Sequence, residues 1–103
     1  MKSIIKGKEL TVYAERVKLM GSNQQLFATH VSLFTAIFVS WQRSGFNSPF
    51  SISRRQLMSC SRIAAFATYH KCIKELVAYG YIRYEPSYHP IEGSLMYWPE
   101  NMP

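Results

Sequence analysis

A chain of 103 residues with 48% apolar, 15% aromatic and 17% charged residues is sized for one folded domain held together without disulfides or metal, and this balance excludes general disorder. The formal charge of +6 and pI near 9.6 favour a polyanionic partner, because clustered Lys and Arg release condensed counterions from a phosphate backbone. The charge is uneven: six bases face the single acid Glu75 between Arg54 and Arg83, whereas Tyr84 to Pro103 carries three acids and no Lys or Arg.

In chain order, Leu10, Tyr13, Val17 and Met20 recur at spacings of three and four before Gly21, which predicts a short amphipathic helix over 9–20. The lysines at 2, 6 and 8 are followed by Glu9 and Glu15 rather than by an apolar run, so this end does not read as a signal peptide and a cytoplasmic location is expected. Ser22 with Gln25 fits a capping box opening a second helix over about 24–42, with Gly45 as its stop. That helix is apolar on most of its circumference, so it is expected to be the central buried one. Its run falls short of the roughly 20 residues a membrane span needs and is interrupted by Thr29, His30, Ser32 and Thr35, so no membrane partner is expected.

After a turn-rich stretch from Gly45 to Pro49, Phe50-Ser51-Ile52 alternates as a brief strand would. Ser53 to Gln56 forms another capping box, starting a short helix that contains Leu57 and Met58, and a turn around Cys60 to Ala64 follows. Phe66, Tyr69, Ile73, Leu76 and Val77 then mark a helix over 65–79, with Gly80 as its left-handed cap. Tyr81-Ile82-Arg83-Tyr84 and Leu95-Met96-Tyr97-Trp98 are β-prone runs around a loop with Pro86, Pro90 and Gly93, the pattern of a hairpin wing. Residues 99–103 form a tail. The expected fold class is α+β, mainly α, and the order of elements is that of a winged helix-turn-helix, with 1–103 one domain and 22–98 its core.

The stretch Thr68-Tyr69-His70-Lys71-Cys72-Ile73-Lys74-Glu75-Leu76, with Gly80-Tyr81-Ile82 after it, resembles a bacterial pattern in which a recognition helix ends in Lys-Glu-Leu, then three residues, then Gly-aromatic-Ile. Over Ser51 to Trp98 the chain is similar to small winged helix-turn-helix proteins encoded on conjugative transposons and other mobile elements. The resemblance implies a DNA-binding regulator whose second motif helix enters the major groove and whose wing reaches the flanking backbone. The turn Ser61-Arg62-Ile63-Ala64-Ala65 departs from the pattern in having no glycine, which leaves the angle between the two helices open.

On a helical wheel, Phe66, Tyr69, Ile73, Leu76 and Val77 define a core face, and Ala67, Thr68, Lys71, Lys74, Glu75 and Ala78 lie opposite. Thr68 and Lys71 are the candidates for base edges, and alanine or a threonine methyl can meet thymine methyl groups. Arg54, Arg55 and Arg62 are placed to hold phosphates, and Arg83, Tyr88 and His89 to touch a neighbouring phosphate or the minor groove, in a field weakened by Glu85 and Glu92. His70 reads as a helix-flank side chain and Cys72 as packing. Cys60 and Cys72 lack metal-ligand spacing, and no Gly-rich phosphate loop, His-Glu-x-x-His or nucleophile elbow occurs, so neither cofactor, small-molecule ligand nor enzyme activity is expected.

Taken alone, the Lys71, Lys74 and Glu75 face is what any solvated helix shows; the order of elements and the basic middle segment favour double-stranded DNA as partner. Most such proteins bind paired half-sites as dimers, and residues 1–21 with Phe27, Phe38 or Trp41 are the candidate homodimer surface. The competing reading from another class is a winged-helix module that docks on a protein and whose basic face is incidental.

Overall fold

The computed structural model describes residues 7–85 and 94–99. Its first helix, α1, spans Gly7–Gly21 and turns Tyr13, Arg16, Val17 and Met20 toward the core, while Leu10 stays exposed. The inward stripe therefore sits at i, i+3, i+4 and i+7 from Tyr13 and includes a charge. Arg16 is fully buried, donates to the Pro99 carbonyl and lays its guanidinium 5.1 Å from the centre of the Trp98 ring. Its Nε and Nη1 have no partner, and burial pulls its pKa below the ordinary arginine value.

The central helix, α2, spans Ala28–Arg43, starting four residues later than the Ser22 and Gln25 box predicts. Asn23 explains the delay: its side chain accepts from the Gln25 amide at 2.9 Å and its carbonyl from the Leu26 amide at 3.1 Å, closing a turn before the helix opens. The cap comes from within the helix, because His30 Nδ1 accepts the Phe27 amide at 2.9 Å. Leu33, Phe34, Ala36, Ile37 and Phe38 are buried, and Phe34 meets Tyr13, Tyr81 and Trp98 with ring centroids 5.7, 5.8 and 5.0 Å away. Of the candidate dimer residues Phe38 is buried in the core, and Trp41 is half-buried, stacked on Trp98 at 4.6 Å and 8°. Phe27 remains exposed. Among the described residues no helix is long and apolar enough to cross a membrane.

Strand β1 covers Phe50–Ile52 and helix α3 Arg54–Ser61, the latter capped by Ser53 Oγ accepting the Gln56 amide at 3.3 Å. Helix α4 runs Phe66–Ala78, followed by strands β2 (Arg83–Glu85) and β3 (Ser94–Tyr97). The strands form one antiparallel sheet in the order β1-β3-β2, with Met96 of β3 opposite Phe50 on one side and Tyr84 on the other. The predicted strand from Tyr81 begins two residues late because Tyr81 and Ile82 are spent as buried anchors after α4. Helix α2 packs against α1, α3, α4 and β1, so everything hangs on one central helix. The α3-turn-α4 pair with a sheet beside it is the winged helix-turn-helix arrangement. The connection 86–93, and with it the wing residues Tyr88, His89 and Glu92, lies outside the described residues, as does the tail from 100 onward.

Candidate nucleic-acid interface

The corner between α3 and α4 is made by the residue least expected there. Arg62 adopts φ 65° and ψ 26°, the left-handed conformation that ordinarily falls to glycine. Its amide reaches the Ser59 carbonyl at 3.3 Å and the next amide, of Ile63, reaches Met58 at 3.1 Å, the paired bonds of a Schellman ending. Ile63 then inserts into the core and fixes the direction in which the chain leaves. With its backbone held in this way, the Arg62 side chain is exposed on the outer rim of the turn.

That rim borders an open cleft of about 1240 Å³ between the start of α3, the start of α4 and the sheet. Arg54, Arg55 and Arg62 line it together with Phe66 and His70, and Tyr84 and Ser94 form the wall from which the wing strands run. Tyr84 donates its hydroxyl to Ser94 Oγ at 3.1 Å, stiffening that wall. At the cleft floor Tyr69 is buried; desolvation first, then the neighbouring Tyr84, push its phenol up to about 12 despite the opposing pull of Arg54, so it stays neutral.

On α4 the inner stripe is Tyr69, Cys72, Ile73 and Leu76, all buried. The core face is therefore rotated from the one expected: Phe66 and Val77 are exposed, and Cys72 is core. The outward arc runs through Phe66, Ala67, His70, Lys71, Lys74, Val77 and Ala78. Thr68 is half-buried at its margin. Glu75, expected to face outward with the lysines, turns inward and accepts from His30 Nε2 at 2.7 Å. Since His30 Nδ1 accepts a backbone amide, Nε2 carries the proton given to Glu75, and this one side chain joins the start of α2 to α4. This use of the lone acid leaves Arg54, Arg55, Arg62, Lys71 and Lys74 without a carboxylate partner among the described residues.

Of the predicted site residues, Thr68 does not stand on the exposed face expected of a base-edge residue but is half-buried at its margin, and the others fall into three groups. Arg54, Arg55 and Arg62 converge on the cleft, and Ala67, Lys71 and Lys74 share the exposed face of α4 beside it. Arg83 is not brought to the cleft. It alternates with Tyr84 along β2, so its side chain leaves from the opposite face of the sheet and stacks 4.7 Å from the Tyr97 ring centre. Sequence reasoning missed Phe66, assigned to the core, and His70, assigned to a flank. The signal that finds both is Cys72: counted as apolar, it completes an i, i+3, i+4, i+7 stripe from Tyr69 that leaves positions 66 and 70 outside.

Ala65, at the N-cap of α4, offers no side-chain acceptor, so the first turn keeps amides for an acceptor from outside the helix. Among the described residues no group of three His, Cys, Asp or Glu side chains is positioned to hold a metal ion. Comparison of the chain with protein-family models, with curated proteins and with solved structures finds no match.

Proposed function

We propose that this protein binds double-stranded DNA, with α4 entering the major groove and the arginines of α3 and the turn holding flanking phosphates. The observation that carries the reading is the convergence of Arg54, Arg55 and Arg62 on one open cleft at the start of an uncapped helix whose exposed face adds Lys71 and Lys74. Three arginines on a concave face with two lysines on the helix beside it, none with a carboxylate partner among the described residues, are an electrostatic footprint for a polyanion, and small side chains at 64, 65, 67 and 78 permit close approach of the helix backbone to base edges. The biological role that follows is regulation by occupancy, in transcription or in the movement of a genetic element, inside the cell and without a cofactor. Arg83 belongs to the reading only through the wing, on a surface separate from the cleft.

The test is affinity for a random duplex as a function of salt. Four to six phosphate contacts give a log–log slope of about −4 to −5. Replacing Lys71 and Lys74 together with alanine is expected to flatten it by about 2, and Arg54→Ala with Arg55→Ala to do the same. Absence of duplex binding at low salt, or a slope unchanged in both double variants, would remove the proposal and leave protein docking as the use of this fold. Selection of bound sites from a random pool then gives the sequence read, and a palindrome would establish dimeric binding.

A further inference from the structure

Phosphate binding does not account for Phe66. It is the first residue of α4, 60% exposed, and among the large exposed apolar residues it is the one that lines the basic cleft; Leu10, Leu19, Phe27, Val77 and Tyr79 do not. Its ring is held rather than loose, because the Arg54 guanidinium lies 4.7 Å from its centre. Ala64, Ala65 and Ala67 are exposed around it, so an apolar island stands at the tip of the recognition helix within a rim of arginines. A polyanionic backbone offers nothing for such an island to bury. The base edges of duplex DNA do: in the major groove the one apolar substituent they present is the C5-methyl of thymine. The first residues of a recognition helix are also those that meet base edges.

We infer that Phe66, with Ala67 beside it, reads a thymine methyl group, while Arg54, stacked on the same ring, delivers its charge to an adjacent phosphate. This inference rests on the DNA-binding reading above and names part of what that site recognises. His70, one turn along the same face, lies next in line toward the neighbouring base pair.

The probe is the best duplex recovered from the random pool, resynthesised with deoxyuridine replacing thymidine at one position at a time, which deletes the methyl and preserves base pairing. Loss of one methyl contact is expected to weaken binding about three- to fivefold at one or two positions, with the salt slope unchanged. In Phe66→Ala the thymine-to-uracil ratio at those positions is expected to fall to about one. In Phe66→Leu it is expected to stay above one. Because Phe66 is exposed, its variants should unfold at the wild-type denaturant midpoint, which separates lost reading from lost folding. Equal binding of thymine and uracil at every position overturns the inference, as does a ratio that survives in Phe66→Ala. If Phe66 instead wedges between base pairs, Phe66→Ala weakens all duplexes and uracil has no effect, which also overturns it. A protein that binds no duplex at low salt fails the earlier reading, a result visible before any uracil is introduced.

Discussion

The corners that end α3 and α4 are built alike and finished differently. At each, the amide of a buried residue reaches back five positions: Ile63 to Met58 at 3.1 Å, and Tyr81 to Leu76 at 2.9 Å. At each, the preceding residue sits in the left-handed region, Arg62 at φ 65° and Gly80 at φ 82°. The end of α2 is related but not the same: Gly45 is at φ 80° and the Phe46 amide reaches back to Trp41 at 2.9 Å, yet Phe46 is half-buried and itself left-handed at φ 63°. Two of the three corners thus carry glycine, for which this conformation is free, and one carries arginine, for which it costs about 1–2 kcal/mol. The arginine stands at the corner that borders the cleft. The corner after α4 leads into β2 and Gly80 does not line the cleft, so its residue serves the backbone alone. What closes a corner here is the anchor after the left-handed residue; the identity of that residue is then open to other demands.

The largest expected effects follow from the anchors. Tyr81→Ala removes a buried ring that meets Phe34 edge-on, and a loss of about 3–5 kcal/mol is expected in denaturant unfolding. Ile63→Ala is expected to cost about 2–4 kcal/mol. If either falls below about 1 kcal/mol, the anchor does not hold its corner and the parallel between them breaks. Next in size, Gly80→Ala places a Cβ in the left-handed region and is expected to cost about 1–2 kcal/mol, read as a lower urea midpoint at unchanged slope. A neutral outcome there would mean that the corner relaxes, and that the arginine at 62 carries no strain by analogy.

The corners also mark what can be read from sequence. Gly80 and the Ser53 cap are local devices, decided within four residues, and both stand where the pattern puts them. The start of α2 is not local: Ser22 and Gln25 have the right spacing, but the cap is His30, whose other nitrogen is fixed by Glu75, forty-five positions away. No short window contains that pair. Arg16 occupies an apolar position in the period of α1, yet a charge reads as surface until Trp98 and the Pro99 carbonyl arrive from the far end of the chain. Phe38 and Trp41 read as surplus aromatic surface for the same reason, since α1 and Trp98 cover them. The cations of the candidate site are legible in the sequence; the backbone that places them is not. Strand alternation turns Arg83 away while the α3 corner brings Arg62 in, and only the second depends on a backbone conformation that sequence disfavours.

The sharpest comparison is therefore Arg62→Gly, which gives the α3 corner the glycine that Gly45 and Gly80 supply at the other two. Removing the left-handed penalty of about 1–2 kcal/mol is offset by the extra freedom glycine gains in the unfolded chain, about 0.5–1 kcal/mol, so stability should hold or rise by no more than about 1.5 kcal/mol. Binding to duplex DNA should move the other way, weakening at fixed salt with the log–log slope falling by about 1, one phosphate contact. Arg62→Lys should keep the slope, because the charge remains, while leaving the strain in place. A variant that gains stability and loses affinity ties the strained residue to the cleft. If Arg62→Gly unfolds more easily than wild type, the side chain is structural; if it binds with an unchanged salt slope, the cation at the corner lies off the path of the phosphates.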